Sequence, residues 1–263
     1  MHQHTFVVLA YKVSPFLGEC LSSLRDQSVV SSIIVANSTP SPFIDQISRS
    51  FGYPVHINPE SRGIASDWNF GLAQASTPFV TLAHQDDVYD RTYSEKMLKA
   101  ANERSDNLIT FSHYSEMIGG EIRTDTTNLL VKKCLIRASF GLSQMIASPV
   151  RKRMLVSFGS PIACPSVMYH RKHLTDFSFS SDLSISVDWG AWIDIALRHG
   201  SIAYVNEPLL THRIHAGSET STGIADNRRA NEDLLLFEKL WPKPLAGLLA
   251  RVYALSYSGN KTG

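Results

Sequence analysis

Four short apolar runs, spaced by helix-periodic stretches, constrain this chain more than any other feature. They are Thr5 to Ala10, Ser32 to Ala36, Pro54 to Ile57, and a run that Thr77-Pro78 opens and Ala83 closes. An apolar run of this kind is the pattern of a strand covered on both faces. Between the first two, Ser14-Pro15 reads as N-cap and first helical residue ahead of Leu17, Leu21 and Leu24. Pro42 to Ser50 carries Phe43, Ile44 and Ile47 as one stripe, and Arg62-Gly63 opens a helix with Ile64, Trp68, Leu72 and Ala75 at helical spacing. The order β-α-β-α-β-α-β implies a mostly parallel sheet with right-handed crossovers. Ligands of such open sheets bind beyond the carboxyl ends of the strands. Three polar segments fall there: Ala10-Tyr11-Lys12, Asn37-Ser38-Thr39 and His84-Gln85-Asp86-Asp87.

The last of these is the most demanding. Two adjacent carboxylates at the end of a core strand repel, and burying them unpaired is costly. They call for a cation or a phosphate-bearing ligand, unless they form only an acidic turn in which Asp90 and its neighbours cap the next helix. The loop AYKVSPF has no GxGxxG, and GxxxxGK[ST] occurs nowhere, which disfavours a dinucleotide-binding dehydrogenase and a P-loop NTPase. Tyr11 stands where those folds need glycine; it stacks on a base or packs half-buried. Net charge is +1 and the cations are spread, so nothing points to nucleic acid. The clusters Lys132-Lys133, Arg151-Lys152-Arg153 and Arg228-Arg229 read as solvated faces. Three distant cysteines without a CxxC suggest neither a disulfide framework nor a zinc site and fit a reducing cytoplasm. The N-terminus lacks a signal-peptide layout, and no run reaches the roughly 20 apolar residues of a membrane span.

The second half is less regular. A helix from about Asp90 to Arg104 precedes a strand, Leu108 to Phe111, then a Gly119-Gly120 turn and an apolar-periodic segment from Leu129 to Ile146. Pro149 and the basic cluster after it are expected as a loop. Ser166 to His170 reads as a strand, and Ser178 to Ser186 as a serine-rich loop. Asp188 begins a helix with Trp189, Trp192, Ile193 and Ala196 on one face and Gly200 as its stop. Two strands follow, Ile202 to Val205 and Leu209 to Ile214, then a polar loop from His215 to Gly223. Helices from about Asp226 to Trp241 and Pro244 to Tyr257 end the chain; the last packs on the domain or touches a membrane surface.

In this order the motifs resemble the family-2 type inverting glycosyltransferases of the GT-A fold. VVLAYKVSPFLGECLSSLRDQS resembles their opening strand, nucleotide loop and helix, and IIVANSTP their second strand, with Asn37 in place of the usual acidic residue. NPESRGIASDWNFGLAQAST, LAHQDDVY, VDWGAWIDIA and PLLTHRIHAGSET resemble, in turn, the segment with a glycine, an asparagine and a Gly-Leu pair, the acidic metal motif, the helix start that supplies a catalytic base, and the loop over the diphosphate. The fold implied is α/β: a GT-A, Rossmann-like, mostly parallel sheet flanked by helices over residues 1–225, with a C-terminal helical extension over 226–263. The resemblance implies that Ala10, Tyr11 and Asn37 hold the nucleobase, Asn69 the nucleoside, and His84, Gln85 and Asp86 one wall of the nucleotide-sugar site. It further implies that Asp86 binds Mn²⁺ or Mg²⁺ with His215 as a second ligand or a phosphate contact, and that Asp188 deprotonates the acceptor hydroxyl.

The chemistry suits these roles. Expelling a nucleoside diphosphate builds negative charge that a divalent ion offsets, and carboxylate oxygens suit Mg²⁺ or Mn²⁺. An alcohol needs a positioned base, and inversion puts that base on an element separate from the metal motif. Other readings stand beside these: Asp188 as a helix cap, His215 as a solvated histidine, Trp189 and Trp192 as core, and Asp87 as support for the turn. His84 takes the first Asp position of the family motif, where it ligates a metal, bonds the ribose, or does neither. The partners implied are a nucleotide-sugar donor and a glycan or lipid-linked glycan acceptor of a bacterial-type surface polysaccharide, such as an O-antigen or capsule. The implied location is the cytoplasm, with or without contact to the inner face of the plasma membrane. A non-catalytic nucleotide-sugar-binding or scaffold protein of the same fold is the alternative.

Overall fold

In a computed structural model of the chain, residues 2–215 and 228–255 are described. The N-terminal part alternates as the apolar runs require: β1 His4–Ala10, α1 Leu17–Arg25, β2 Ser32–Asn37, α2 Pro42–Phe51, β3 Val55–Ile57, α3 Ile64–Gln74 and β4 Phe79–His84. β1 pairs in parallel with β2 and β4, and β2 with β3. Alternate residues of β1 serve two cores. Phe6, Val8 and Ala10 pack with Leu17, Leu21 and Leu24 of α1, whereas Val7 joins the opposite core, against which Ile64, Trp68 and Leu72 of α3 lie. α3 sits close because Gly71 has no side chain: a Cβ there would meet Val7 and Leu9 at 3.1 Å.

The remaining elements widen the sheet to ten strands. They are β5 Val88–Tyr89, α4 Tyr93–Ala101, β6 Asn107–Ile118, β7 Glu121–Arg123, α5 Thr127–Phe140, β8 Met145–Ile146, α6 Pro149–Val156, β9 Val167–His170, α7 Val187–Leu197, β10 Ser201–Ile214, α8 Arg228–Leu240 and α9 Lys243–Ala254. The strand order is β3-β2-β1-β4-β9-β6-β10-β5, with β7 on β6 and β8 on β10. β9 lies antiparallel between β4 and β6, while β6 and β10 run parallel. The sheet is thus mixed and mostly parallel, with β9 inserted antiparallel and the short strands β5, β7 and β8 added antiparallel to β10 and β6. Leu236, Phe237 and Leu240 of α8 and Ala246 of α9 join the core that holds Val7 and Trp189.

Several sequence expectations shift. The helix expected from Ser14-Pro15 starts at Leu17; Ser14 Oγ instead accepts the Phe16 N–H at 3.3 Å in a preceding turn. The segment after Pro149 is not a loop but α6, with Pro149 in the first turn. Lys152 of that basic cluster is buried, and its Nζ donates to the carbonyls of Arg198 and, at 2.8 Å, Gly200. Those carbonyls follow the end of α7, where helix acceptors lack partners and a cation is favoured. The strand expected over Leu108 to Phe111 continues to Ile118. The two strands expected after Ile202 are one, β10, bent by register shifts around Pro208.

Candidate active site

The carboxyl ends of β1, β2 and β4 open onto a cavity of about 1090 Å³ that runs toward the start of α7. Of the residues expected there, Ala10, Tyr11, His84, Gln85, Asp86, Asp188 and His215 line it. Asn37 and Asn69 do not. Asn37 is fully buried: its Oδ1 accepts the Thr39 N–H at 3.0 Å, and its Nδ2 has no partner among the described residues. The Asn69 amide is spent on the Phe179 backbone, donating at 2.9 Å and accepting at 2.8 Å, so it braces the loop before α7. Its neighbours Asp67 and Trp68 face the cavity instead.

Gln85 ties two strand ends together. Its amide donates to the Tyr11 carbonyl at 2.6 Å and accepts the Tyr11 N–H at 3.2 Å. Tyr11 is thereby held at the rim, with Lys12 Nζ 4.7 Å from its ring centroid. Lys12 itself has φ 55, a left-handed conformation uncommon for a residue with a Cβ. Its N–H is held by Thr39 Oγ1, from the loop after β2.

The acidic end of β4 is built with β10. Asp86 accepts from His215 Nε2 at 2.9 Å. Asp87 is fully buried; one of its oxygens accepts from His212 Nδ1 at 2.9 Å and from the Arg213 N–H at 3.0 Å. Arg213 donates from Nε to the Asp86 carbonyl and from Nη2 to Glu19, and lies over the Phe16 ring. Burial alone would raise the Asp86 carboxyl, but the surrounding imidazoles, with the His215 hydrogen bond, outweigh it and hold it below its ordinary range. His84 is held below its usual value chiefly by burial, against the pull of both carboxylates. His212 goes the other way: burial opposes its charge, yet Asp87 prevails and raises it to about 9.

A divalent ion fits this corner. One ligand atom from each of His84, Asp86 and Asp87 lies within 4.8 Å of the others. His84 Nε2 and the second Asp87 oxygen are buried without partners among the described residues, a costly state that a cation would relieve.

The other end of the cavity has the opposite electrostatic character. Asp188 sits in the first turn of α7, whose N-cap is Ser186. Its carboxylate accepts the Trp189 N–H at 2.7 Å and the Ser160 hydroxyl at 3.4 Å. Burial pushes Asp188 above the ordinary carboxylate range, against the pull of Arg229, the Trp189 N–H, Lys132 and Ser160. Trp189 and Trp192 are core residues whose indole N–H groups donate to Val156 and Ile162 carbonyls. Glu116, Ser160 and Tyr253 also line this end without a sequence signal, and so does Lys132, expected on a solvated face, whose Nζ instead donates to the Tyr114 hydroxyl at 2.9 Å. His212 was missed as well, although a second basic residue in Thr-His-Arg-Ile-His alternates with Arg213 on a strand facing an acidic turn.

Comparison with known proteins gives a consistent picture. Residues 5–174 match the family described as glycosyl transferase family 2. EpsH of Bacillus subtilis (strain 168), to which a glycosyltransferase activity is ascribed, is 26% identical over 110 residues, 40% of this chain. That match spans 32% of EpsH, about a third of its length. Among solved structures, the 1–349 fragment of S. aureus TarS in complex with UDP-GlcNAc superposes with a TM-score of 0.67 at 15% identity, covering 94% of this chain and 70% of that fragment, whereas this chain covers 42% of the longer TarS chain. The mannosyltransferase PcManGT from Pyrobaculum calidifontis, in complex with GDP-Man and Mn²⁺, gives 0.66 at 14% identity, covering 100% and 76%. At these identities the two structures speak for the fold.

Proposed function

The chain belongs to glycosyl transferase family 2 and has the GT-A fold, and from that premise we propose that it is a metal-dependent, inverting transferase. Its donor is a nucleotide-diphosphate sugar, and its acceptor a hydroxyl of a glycan or lipid-linked glycan in a surface polysaccharide. The observation that carries this reading is a single cavity with a histidine-carboxylate corner at one end and a carboxyl raised by burial at the other.

In this reading Tyr11 and the Asn37 turn receive the base, with Gln85 holding the Tyr11 backbone in place. His84 and Asp86 would hold the ion, with His215 braced on Asp86 and the free Asp87 oxygen beside them. When bound, that ion supplies positive charge where the leaving diphosphate gains negative charge. Imidazole beside carboxylate suits Mn²⁺ better than Mg²⁺, which prefers an all-oxygen shell. Asp188 takes the acceptor proton. A carboxylate with a raised pKa is the better proton acceptor, provided it is ionised at working pH. Its place on α7, away from β4, suits attack on the sugar from the face opposite the leaving group.

The test is donor turnover with Mn²⁺ against chelator, comparing wild type with Asp86→Ala and Asp188→Ala. The reading predicts metal-dependent turnover that both substitutions abolish. If turnover is absent with every common donor, or survives both changes, the enzyme assignment fails. The non-catalytic alternative rests on His84 standing where the family has an aspartate; it predicts nucleotide-sugar binding without transfer.

A further inference from the structure

The last helix has an outer face that the transferase chemistry does not use. α9 meets the core with Ala246, Leu249, Ala250 and Tyr253, an i, i+3, i+4, i+7 set. A surface helix would carry polar residues away from that face. Here Leu245, Leu248, Val252 and Leu255 repeat at helical spacing and are 39%, 58%, 58% and 72% exposed. The only charged side chains from Trp241 to Leu255 are Lys243 and Arg251, both exposed; there is no carboxylate. Next to the start of α9 lies α6, whose Val150, Arg151 and Arg153 are exposed too. α6 and the segment after it meet the junction of α8 and α9: Arg153 Nη2 donates to the carbonyl of Leu240, the last residue of α8, at 2.5 Å, and Phe158 lies against Trp241, ring centroids 5.4 Å apart. The nearest carboxylate in sequence, Glu238, stands on α8 beside Lys239.

We propose that α9, with the adjoining end of α6, seats the protein on an anionic lipid surface, the apolar stripe entering the headgroup boundary and the cations meeting lipid phosphates. Apolar residues on one face with cations alone at its edges suit a helix lying in the interface plane. A second copy of the chain fits worse. In a two-fold dimer the same patch faces itself, which sets Lys243, Arg251, Arg151 and Arg153 against their own kind with no carboxylate on the face to answer them. An anionic surface answers all of them.

The placement bears on the acceptor. Tyr253 lies on the inner face of the same helix, lines the cavity together with Asp188, and accepts the Ser160 N–H at 3.3 Å. The helix that meets lipid therefore also walls the end of the cavity where the base stands. A lipid-borne acceptor reaches Asp188 without leaving the membrane; this clause rests on the transferase reading, the docking itself does not.

The experiment is co-sedimentation of the full chain with vesicles of phosphatidylcholine mixed with phosphatidylglycerol, against vesicles of phosphatidylcholine alone. Wild type is expected to pellet with the mixed vesicles, and less so as salt is raised. The double variant Leu248→Glu/Val252→Glu should partition at least about tenfold more weakly. Lys243→Gln/Arg251→Gln should lose most of the preference for the anionic vesicles. Thermal midpoints matching wild type establish that the variants fold, since every altered side chain is exposed. No pelleting with either vesicle, or pelleting that the double glutamate variant does not reduce, overturns the proposal. So does a concentration-dependent dimer that the same variant dissolves without any vesicle binding. Turnover of a water-soluble donor by the double variant is expected to equal wild type, so a failure of docking is told apart from a failure of the transferase assignment.

Discussion

Asp86 and Asp188 line one cavity, yet their surroundings drive them apart. Asp86 closes a strand, meets the imidazole of His215 at 2.9 Å, and is held below the ordinary carboxylate range. Asp188 opens a helix among core tryptophans, and burial outweighs Arg229 and Lys132 to push it up. Two carboxyls kept apart in this way are how one site divides charge stabilisation from proton transfer. In the proposed transferase the strand end would stay ionised beside a cation and a phosphate. The helix start would take up the acceptor's proton. The same contrast holds for their supports: the β4 corner is clamped by β10, whereas Asp188 depends on packing and two hydrogen bonds.

Exchanging the two carboxyls for amides tests this contrast most severely. Asp188→Asn should lower kcat by about 10³-fold while leaving the Mn²⁺- and nucleotide-induced rise in Tm intact, because only the base is lost. Asp86→Asn should lower kcat/KM by at least about 10²-fold and abolish that rise. If the Asn variant at 188 loses the metal-induced shift, or the one at 86 keeps it, the division of labour between the two ends is wrong.

Acid separates the site from its scaffold. His4, hydrogen-bonded to Ser31 and Thr81, is lowered by burial to about 3, and His113 is lowered to about 4. Unfolded histidine binds its proton near pH 6.5, so the unfolded chain carries more protons than the native one below that value. Stability present above about pH 6.5 is therefore lost as pH falls, by about 2 kcal/mol per histidine near pH 5. Denaturant midpoints at the two pH values check this, and His4→Gln should flatten the acid side of the curve. A pH-independent midpoint would leave both histidines without their assigned cost.

Smaller effects refine the picture at each end. Gln85→Ala removes two bonds to the Tyr11 backbone and should raise KM for the donor about fivefold, with kcat little changed. An equal fall in kcat would instead assign Gln85 to the chemistry. Turnover itself should fall as pH drops through the raised Asp188 value, above the ordinary carboxylate value of about 4. Lys132→Gln removes a cation that holds Asp188 down and should move this limb to higher pH. A limb that stays put, or moves down, would show that Lys132 does not act on Asp188.

The parallel half of the sheet was readable because its signals are local. The runs that became β1, β2 and β4 are apolar on both faces, and the polar residues after them mark the strand ends whatever they pair with. The acidic turn stands out for the same reason, a pair of carboxylates after an apolar run, whereas Asp188 is reached only through the resemblance of VDWGAWIDIA to the family's helix start. The second half resisted. α6 hides behind Arg151-Lys152-Arg153, and only the carbonyls of Arg198 and Gly200 explain why Lys152 is drawn inside. Nothing near β9 announces that it runs antiparallel between β4 and β6. The Asn69 amide, expected at the nucleoside, is claimed by Phe179, far along the chain.

What the sequence by itself determined, then, is the alternating layout, the strand ends onto which the cavity opens, and the acidic pair that follows β4. These follow from hydrophobic periodicity and the cost of burying charge, which act within a few residues of chain. Only the tertiary structure decided which atoms are already spent and which are free. Asp87 has one oxygen held by His212 and Arg213 and the other bare, Gln85 is tied to Tyr11, and Asp188 is raised rather than lowered. Those outcomes are set by partners brought together from distant parts of the chain, and by how much water the packed elements exclude.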